Sequence, residues 1–123
     1  SWVQSNAGGN NVDFMYSDGT NKNAISVKSI SAEGKDFTTL QANFEQKIKE
    51  NPRFKNVRPD KGTIGGYDAV KIYADYNNSS KKVVIWLFQS DDNMIRLVTL
   101  EGDLEIVNEI TPMVEESWTN KKP

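Results

Sequence analysis

The chain has 123 residues, of which 37% are hydrophobic and 26% are charged, and its formal net charge is −2. This length and composition indicate a single globular domain spanning residues 1–123, and the slightly negative charge argues against a general nucleic-acid binder. The sequence contains neither cysteine nor histidine. Disulfides, thiolate zinc sites, cysteine nucleophiles and histidine-dependent catalytic triads are therefore excluded.

The N-terminal part predicts a β-hairpin. Short apolar runs at 12–17 and 24–30 are separated by the turn-forming residues 18–23. Two such runs on either side of a loop are typical of paired antiparallel strands.

The next segment predicts an amphipathic helix. Four apolar residues recur at spacings of three, four and four, which places them on one face of an α-helix. They are Phe37, Leu40, Phe44 and Ile48. Asp36 is the candidate N-cap, and Pro52 ends the helix because it disfavours the helical conformation of Asn51.

Residues 54–58 predict a short strand, and the Pro-Asp-Lys-Gly sequence at 59–62 predicts a turn. Thr63 and Ile64 would then begin another extended segment. The following Gly65-Gly66 pair permits backbone angles that are closed to other residues, so it predicts a bulge or a tight link.

Three strands on short turns follow. Residues 67–76 alternate in polarity, residues 83–88 are apolar on both faces, and residues 94–100 alternate again. The strand at 83–88 is therefore predicted to be central and covered on both sides.

The C-terminal segment predicts a second helix with Asp103 as its N-cap. Its apolar stripe comprises Leu104, Ile106, Val107, Ile110, Val114 and Trp118. Pro112 lies within this stripe, so either the helix kinks there or Pro112 opens a second segment capped by Thr111. Residues 119–123 are expected to form a disordered tail.

These elements predict the α+β class. A strand that is apolar on both faces needs cover on both faces, and two helices are available to provide it. Short connections make the C-terminal meander antiparallel. We expect a twisted, mainly antiparallel sheet of about six strands with helices packed on its faces.

Several segments resemble PsbP-like domains. They are residues 66–76, 83–88, 94–100 and 112–118, together with Trp2. Arg96-Leu97-Val98-Thr99-Leu100 occupies the place of the family's Tyr-x-Leu-Thr strand, and Ser117-Trp118 the place of its closing Ser-Phe. Arg96 and Trp118 are departures from that pattern. Trp2 is similar to the Trp of the family's opening Pro-x-x-Trp segment, which implies that the first strand is truncated.

The resemblance implies an α/β/α sandwich and a bacterial extracytoplasmic relative of the photosystem II PsbP protein. It further implies a non-catalytic docking module that is secreted or lipid-anchored and binds a protein partner at the cell envelope. Membrane attachment would occur only through an anchor outside this chain. No cofactor, metal or nucleic acid is expected. The lack of cysteine fits an exported protein, and it also fits a reduced cytosolic one.

Two other functions are compatible with the sequence. A hydrolase could use two carboxylates placed roughly 5–9.5 Å apart, for which Asp91 and Glu101 are candidates. An anion- or nucleic-acid-binding domain could use the basic region at 47–61.

The expected interaction surface combines aromatic and basic residues, namely Tyr67, Tyr73, Lys55, Arg58 and Lys61. Tyr67 and Tyr73 share a strand face with Lys71, where they either form an exposed patch or pack beneath a helix. Residues 18–21 and 91–93 suggest calcium and residues 62–66 suggest a phosphate loop, but ordinary turns are the favoured interpretation of all three.

Overall fold

The computed structural model describes residues 3–5, 14–17, 23–31, 36–90 and 94–117, and this part of the chain contains seven strands and two helices. In chain order they are β1 (Val3–Ser5), β2 (Phe14–Ser17), β3 (Ala24–Ser31), α1 (Phe37–Glu50), β4 (Phe54–Ile64), β5 (Tyr67–Tyr76), β6 (Lys82–Gln89), β7 (Met94–Gly102) and α2 (Leu104–Ser117).

The strands form one antiparallel sheet in the order β1-β2-β3-β7-β6-β5-β4. This confirms the predicted α+β class and the predicted hairpin of β2 and β3. The sheet has seven strands in the described residues rather than about six, and five of them, β3 to β7, are eight or more residues long. The residues at 12 and 13, predicted to belong to the first strand of the hairpin, lie outside the described part.

The strand β6 lies between two hydrophobic clusters, one on each face of the sheet. Its residues at 83–88 are all at most 3% exposed. Val84, Trp86 and Phe88 belong to the cluster under α2, which we call the α2 face. Val83, Ile85 and Leu87 belong to the cluster under α1, the α1 face. The predicted double cover of this strand is confirmed, and each such burial stabilises the fold by about 1.5–3 kcal/mol.

The helix α1 begins and ends where its sequence predicts. Asp36 Oδ1 accepts hydrogen bonds from the backbone N–H groups of Thr38 and Thr39 at 2.7 and 3.4 Å, and Asp36 Oδ2 accepts one from Thr39 Oγ1 at 2.8 Å. These bonds satisfy donors that have no partner within the helix. At the other end the helix stops at Glu50, immediately before Asn51 and Pro52.

The cap makes the stability of the fold depend on pH. Hydrogen bonds from the Thr39 side chain and the Thr38 and Thr39 backbones hold the pKa of Asp36 below its ordinary value of 3.8. A carboxyl whose pKa is lower in the folded chain stabilises the fold above its unfolded pKa, and that contribution is lost as the pH falls through the folded value.

We therefore expect Asp36→Asn to lose less stability than the wild type when the pH is lowered from neutral to below 3.8. Asparagine caps about as well as aspartate but does not titrate. Urea-unfolding midpoints over a pH series measure the effect. Asp36→Ala serves as the comparison, since it lacks the cap at every pH, and equal acid sensitivity of the wild type and Asp36→Asn would contradict this role.

The prediction of a turn at 59–62 is wrong, because β4 continues without interruption from Phe54 to Ile64. Pro59 pairs with Ile72 inside this strand. A proline is tolerated there because β4 is an edge strand, where the missing N–H can face solvent. The tight link lies instead at Gly65-Gly66, whose φ values of 56° and 86° suit a two-residue hairpin loop between paired Ile64 and Tyr67.

The helix α2 is a single helix that contains Pro112, so this residue does not open a separate segment. Thr111 Oγ1 donates a hydrogen bond to the carbonyl of Val107 at 2.6 Å in the turn before the proline. Just before the helix, the Asp103 carbonyl accepts from the Val107 N–H at 2.9 Å. Trp118 and the expected tail at 119–123 lie outside the described residues.

Candidate functional site

A groove of about 290 Å³ lies between the first turns of α2 and the α2 face of β4 to β6. We call it the α2 groove. The side chains that line it come from both layers and include Arg58, Tyr73, Asp75, Lys82, Leu104 and Asn108. The site therefore exists only when the terminal helix is packed on the sheet.

The helix side of the α2 groove combines exposed Leu104 with the exposed polar residue Asn108. Leu104 is 53% exposed although it lies at the start of the helix, whereas Val107 one turn later is 3% exposed and belongs to the core. Tyr73, on β5, is half-buried against the same cluster. An accessible leucine beside a half-buried aromatic ring gives an incoming apolar side chain surface to cover.

The strand side of the α2 groove is charged. The Asp75 carboxylate accepts a hydrogen bond from Asn56 Nδ2 at 2.8 Å, and it pairs with Lys82 Nζ at 3.1 Å. The Asn56 hydrogen bond, Lys82 and the nearby charge of Arg58 hold the pKa of Asp75 below its usual range. The carboxylate is therefore ionised at neutral pH and its charge is balanced within the protein.

Arg58 is the groove cation without a carboxylate partner among the described residues. Its Nη1 donates to the carbonyl of Asn56 at 2.8 Å, and its side chain is exposed. A guanidinium group has five N–H donors. This single backbone bond holds the side chain in place while leaving donors available to a ligand.

A β-bulge turns Arg58 toward the α2 groove. Lys55 pairs with Asp75 and Arg58 pairs with Tyr73, so β4 has one more residue than β5 in this interval. Asn56 adopts a positive φ of 54° here, which asparagine tolerates better than most residues. Because side chains alternate along a strand, the extra residue sends Val57 into the α1-face cluster and puts Arg58 on the α2 face.

A second polar cluster fastens the C-terminal half of α2. Glu115 Oε2 lies 2.7 Å from Lys71 Nζ and accepts a hydrogen bond from Trp86 Nε1 at 3.0 Å. The Glu115 carbonyl also accepts the backbone N–H of Gly65 at 2.7 Å. We call these contacts the Glu115 clasp. They tie the helix to the β4–β5 hairpin and to the central strand.

The position of Lys71 explains its ionisation. Its Nζ lies 5.2 Å from the ring centroid of Tyr73 and 5.9 Å from that of Trp86. Burial alone would lower the pKa of Lys71, but hydrogen bonds with Glu115 and Tyr73 and the Glu115 charge outweigh it and raise the pKa. Lys71 therefore stays charged and acts in packing the helix.

The structure divides the five residues predicted to form an interaction surface. Arg58 and Tyr73 line the α2 groove, and Lys55 lies on the same face because its ladder partner is Asp75. Tyr67 lies six residues before Tyr73, about 20 Å away along the strand, and its ring stacks on Phe88 with centroids 5.8 Å apart.

Lys61 lies on the other side of the sheet. Its ladder partner is Val70, which belongs to the α1-face cluster. The basic region at 47–61 is thus divided between the two faces of β4 and the end of α1, so it does not form one continuous track.

The sequence interpretation missed the contribution of α2 and β6 to the site. In the sequence, Leu104 belongs to the apolar stripe of the predicted helix, and Lys82 directly precedes the predicted core strand at 83–88. Neither residue carries a local signal for binding, because their proximity to Arg58 depends on the packing of α2 across the sheet.

The phosphate-loop candidate at 62–66 forms the end of β4 and the hairpin loop that follows it. The two calcium candidates at 18–21 and 91–93 lie outside the described residues. Glu101 accepts a hydrogen bond from the Tyr76 hydroxyl at 2.6 Å, and burial together with that bond raises the pKa of Tyr76. Asp91 is not described. No group of three or more potential metal ligands occurs among the described residues.

Comparison with known proteins gives a likeness of fold. No protein-family model and no curated protein matches the chain. The solved structure of PA94 from Pseudomonas aeruginosa, which is described as a protein of unknown function and a candidate regulator, has a TM-score of 0.55 and 15% sequence identity. The match covers 100% of this chain and 83% of that one. At this identity the likeness supports the α+β fold alone.

In the described part of the chain, neither helix combines the length and the apolar character needed to cross a bilayer.

Proposed function

We propose that this protein is a non-catalytic docking module that binds a protein partner through the α2 groove. The proposal rests on three residues that line one groove. They are Leu104, which is exposed, Tyr73, which is half-buried, and Arg58, whose guanidinium has donors that are not used within the described part of the protein. Protein interfaces are enriched in such aromatic and arginine residues, and these residues tend to contribute most of the binding energy.

The size of the α2 groove favours a side chain of a partner over a metabolite. Its volume of about 290 Å³ is at the low end of the roughly 300–1,000 Å³ of small-molecule sites. A groove of this size suits one or two side chains of a polypeptide. A regulator that acts by binding another protein would need the same kind of surface, which is compatible with the description of PA94.

We assign the module to the PsbP-like α/β/α sandwiches and place it outside the cytoplasm, secreted or lipid-anchored through a segment outside this chain. The sequence resemblance supports this assignment, and the two helices on opposite faces of an antiparallel sheet agree with it. Digestion by a protease added to intact source cells tests the location. A protein that stays fully protected in these cells and is recovered in the cytoplasmic fraction would contradict it.

Site-specific photo-crosslinking tests the docking function. A photoreactive amino acid replaces Leu104 in the α2 groove, and the matched control places it at Gln46, which is exposed on α1. We expect a discrete protein adduct from the Leu104 position in source cells and none from Gln46, with the adduct re-formed from purified components. Equal labelling at the two positions, or a hydrolytic activity that Glu101→Gln abolishes, would contradict the proposal.

A further inference from the structure

We infer that the partner segment recognised by the α2 groove is a short acidic–apolar peptide, in which a carboxylate side chain pairs with Arg58 and a neighbouring apolar side chain covers Leu104 and Tyr73. This inference rests on the proposed docking function and specifies the chemistry of its partner.

Charge complementarity selects the acidic group. Of the three charged residues that line the α2 groove, Asp75 and Lys82 neutralise each other at 3.1 Å, which leaves the positive charge of Arg58 unbalanced. On the same face of β4, exposed Lys55 and exposed Asp60 lie on either side of Arg58 and offset each other, so this edge keeps the one positive charge of Arg58. A basic partner segment would meet this uncompensated charge, whereas an acidic one would neutralise it.

The geometry favours a carboxylate over other acceptors. Arg58 is held by its bond to the Asn56 carbonyl, which the bulge presents, so less side-chain entropy is lost on binding. Guanidinium groups bind carboxylates through two parallel hydrogen bonds, and this fork geometry adds specificity to the charge attraction. The bulge therefore places in the α2 groove the guanidinium that would bind the carboxylate of the peptide.

The apolar half of the peptide is specified by Leu104. This side chain is 53% exposed, and it lines the same groove as the guanidinium. Covering it removes apolar surface from water, and the surrounding contact also shields the ion pair from solvent. An acidic residue beside an apolar one satisfies both parts of the groove at once.

An anionic lipid surface fits the arrangement less well than a peptide. Membrane recognition by charge uses clusters of four to eight basic residues on one surface. Here Lys61 lies on the α1 face and Lys55 and Arg58 lie on the α2 face, so the strand does not present its cations together.

Selection from a library of short random peptides, displayed and panned against the purified protein, tests the inference. We expect the selected peptides to be enriched in Asp or Glu next to a large apolar residue. Binding of the best peptide, measured by calorimetry, should weaken about tenfold or more in Arg58→Ala, and less in Arg58→Lys. Lys61→Ala is the matched control, because it removes an exposed cation from the same strand on the opposite face, and it should bind like the wild type.

A double-mutant comparison identifies the contact. Exchanging the peptide's Glu for Gln, or Asp for Asn, should weaken binding to the wild type but have little further effect on Arg58→Ala. Equal effects in both backgrounds would overturn the assignment of Arg58.

The failures of the two proposals are distinguishable. If the selected peptides bind the Leu104→Glu variant more weakly but show no preference for acidic residues, this inference is overturned and the docking function is retained. If the peptides bind the Leu104→Glu variant as well as the wild type, the α2 groove is not the binding site. Arg58-dependent binding of anionic vesicles without peptide selection, or self-association through the groove, would replace the peptide with a lipid surface or a second copy of the chain.

Discussion

Replacing Glu115 with alanine is expected to lower the free energy of unfolding by about 3 kcal/mol. The carboxylate serves two partners with one oxygen, Lys71 at 2.7 Å and the indole N–H of Trp86 at 3.0 Å. Trp86 is 0% exposed, so its donor would be left without an acceptor in the core. Lys71, whose side chain is 13% exposed, would lose the partner that compensates its burial.

Chemical denaturation measures this cost, and Glu116→Ala is the matched control. Glu116 is the next residue of the same helix and is exposed, so its replacement should change the free energy by less than about 0.5 kcal/mol. Glu115→Gln keeps an acceptor for Trp86 and should fall between the two. Equal stability of Glu115→Ala and Glu116→Ala would show that the Glu115 side chain contributes nothing to the clasp.

A double substitution separates charge from packing. Lys71→Met combined with Glu115→Leu removes both charges together and supplies apolar groups, so it should cost less than the sum of the two single changes. The indole N–H resonance of Trp86, assigned with Trp86→Phe, should shift in Glu115→Leu and in the double variant, because the hydrogen bond to Glu115 is lost in each.

The parts of the fold that the sequence predicts are those with a strong local pattern. Residues 83–88 are aliphatic or aromatic throughout, which is sufficient to require cover on both faces, and the structure has it. Asp36 and the helical spacing from Phe37 to Ile48 define α1 because the cap and the apolar face belong to the same short segment.

The predictions from sequence fail where the position of a residue in the tertiary structure overrides its local preference. Pro59 and Gly62 resemble a turn, yet they continue β4 because an edge strand tolerates a missing N–H. The bulge at Asn56 has no sequence signature, although it reverses the faces of Val57 and Arg58. The basic residues cluster in the sequence, but their division between the two faces of β4 is set by the strand register.

The candidate site depends on contacts between distant parts of the chain. Tyr73, Arg58 and Leu104 meet because α2 crosses the sheet after β7. The helix is fastened near its end by the Glu115 clasp and at its start by Asn23, whose Oδ1 accepts the Asp103 N–H at 3.1 Å. No local pattern in the sequence can indicate such contacts, since their partners lie 29 to 80 residues apart.

The contact of Asn23 with Gly102 makes the start of α2 sensitive to one methyl group. A Cβ on Gly102 would overlap Asn23 Oδ1, and it would lie 3.0 Å from the Cγ and 3.3 Å from the Cα of Asn23. Asn23 is 5% exposed, so its side chain has little room to move aside. Moving it would also break its hydrogen bond to Asp103.

We therefore expect Gly102→Ala to destabilise the fold by about 2–3 kcal/mol, through overpacking, the loss of that hydrogen bond and the strain of a Cβ at the Gly102 φ of 158°. Thermal and urea unfolding measure the cost. In an Asn23→Ala background, where the obstructing amide is absent, the same substitution should cost clearly less, and equal costs in the two backgrounds would contradict the mechanism. Because Leu104 follows this contact directly, the amide signals of residues lining the α2 groove should shift in Gly102→Ala, whereas those of α1 on the opposite face should stay unchanged.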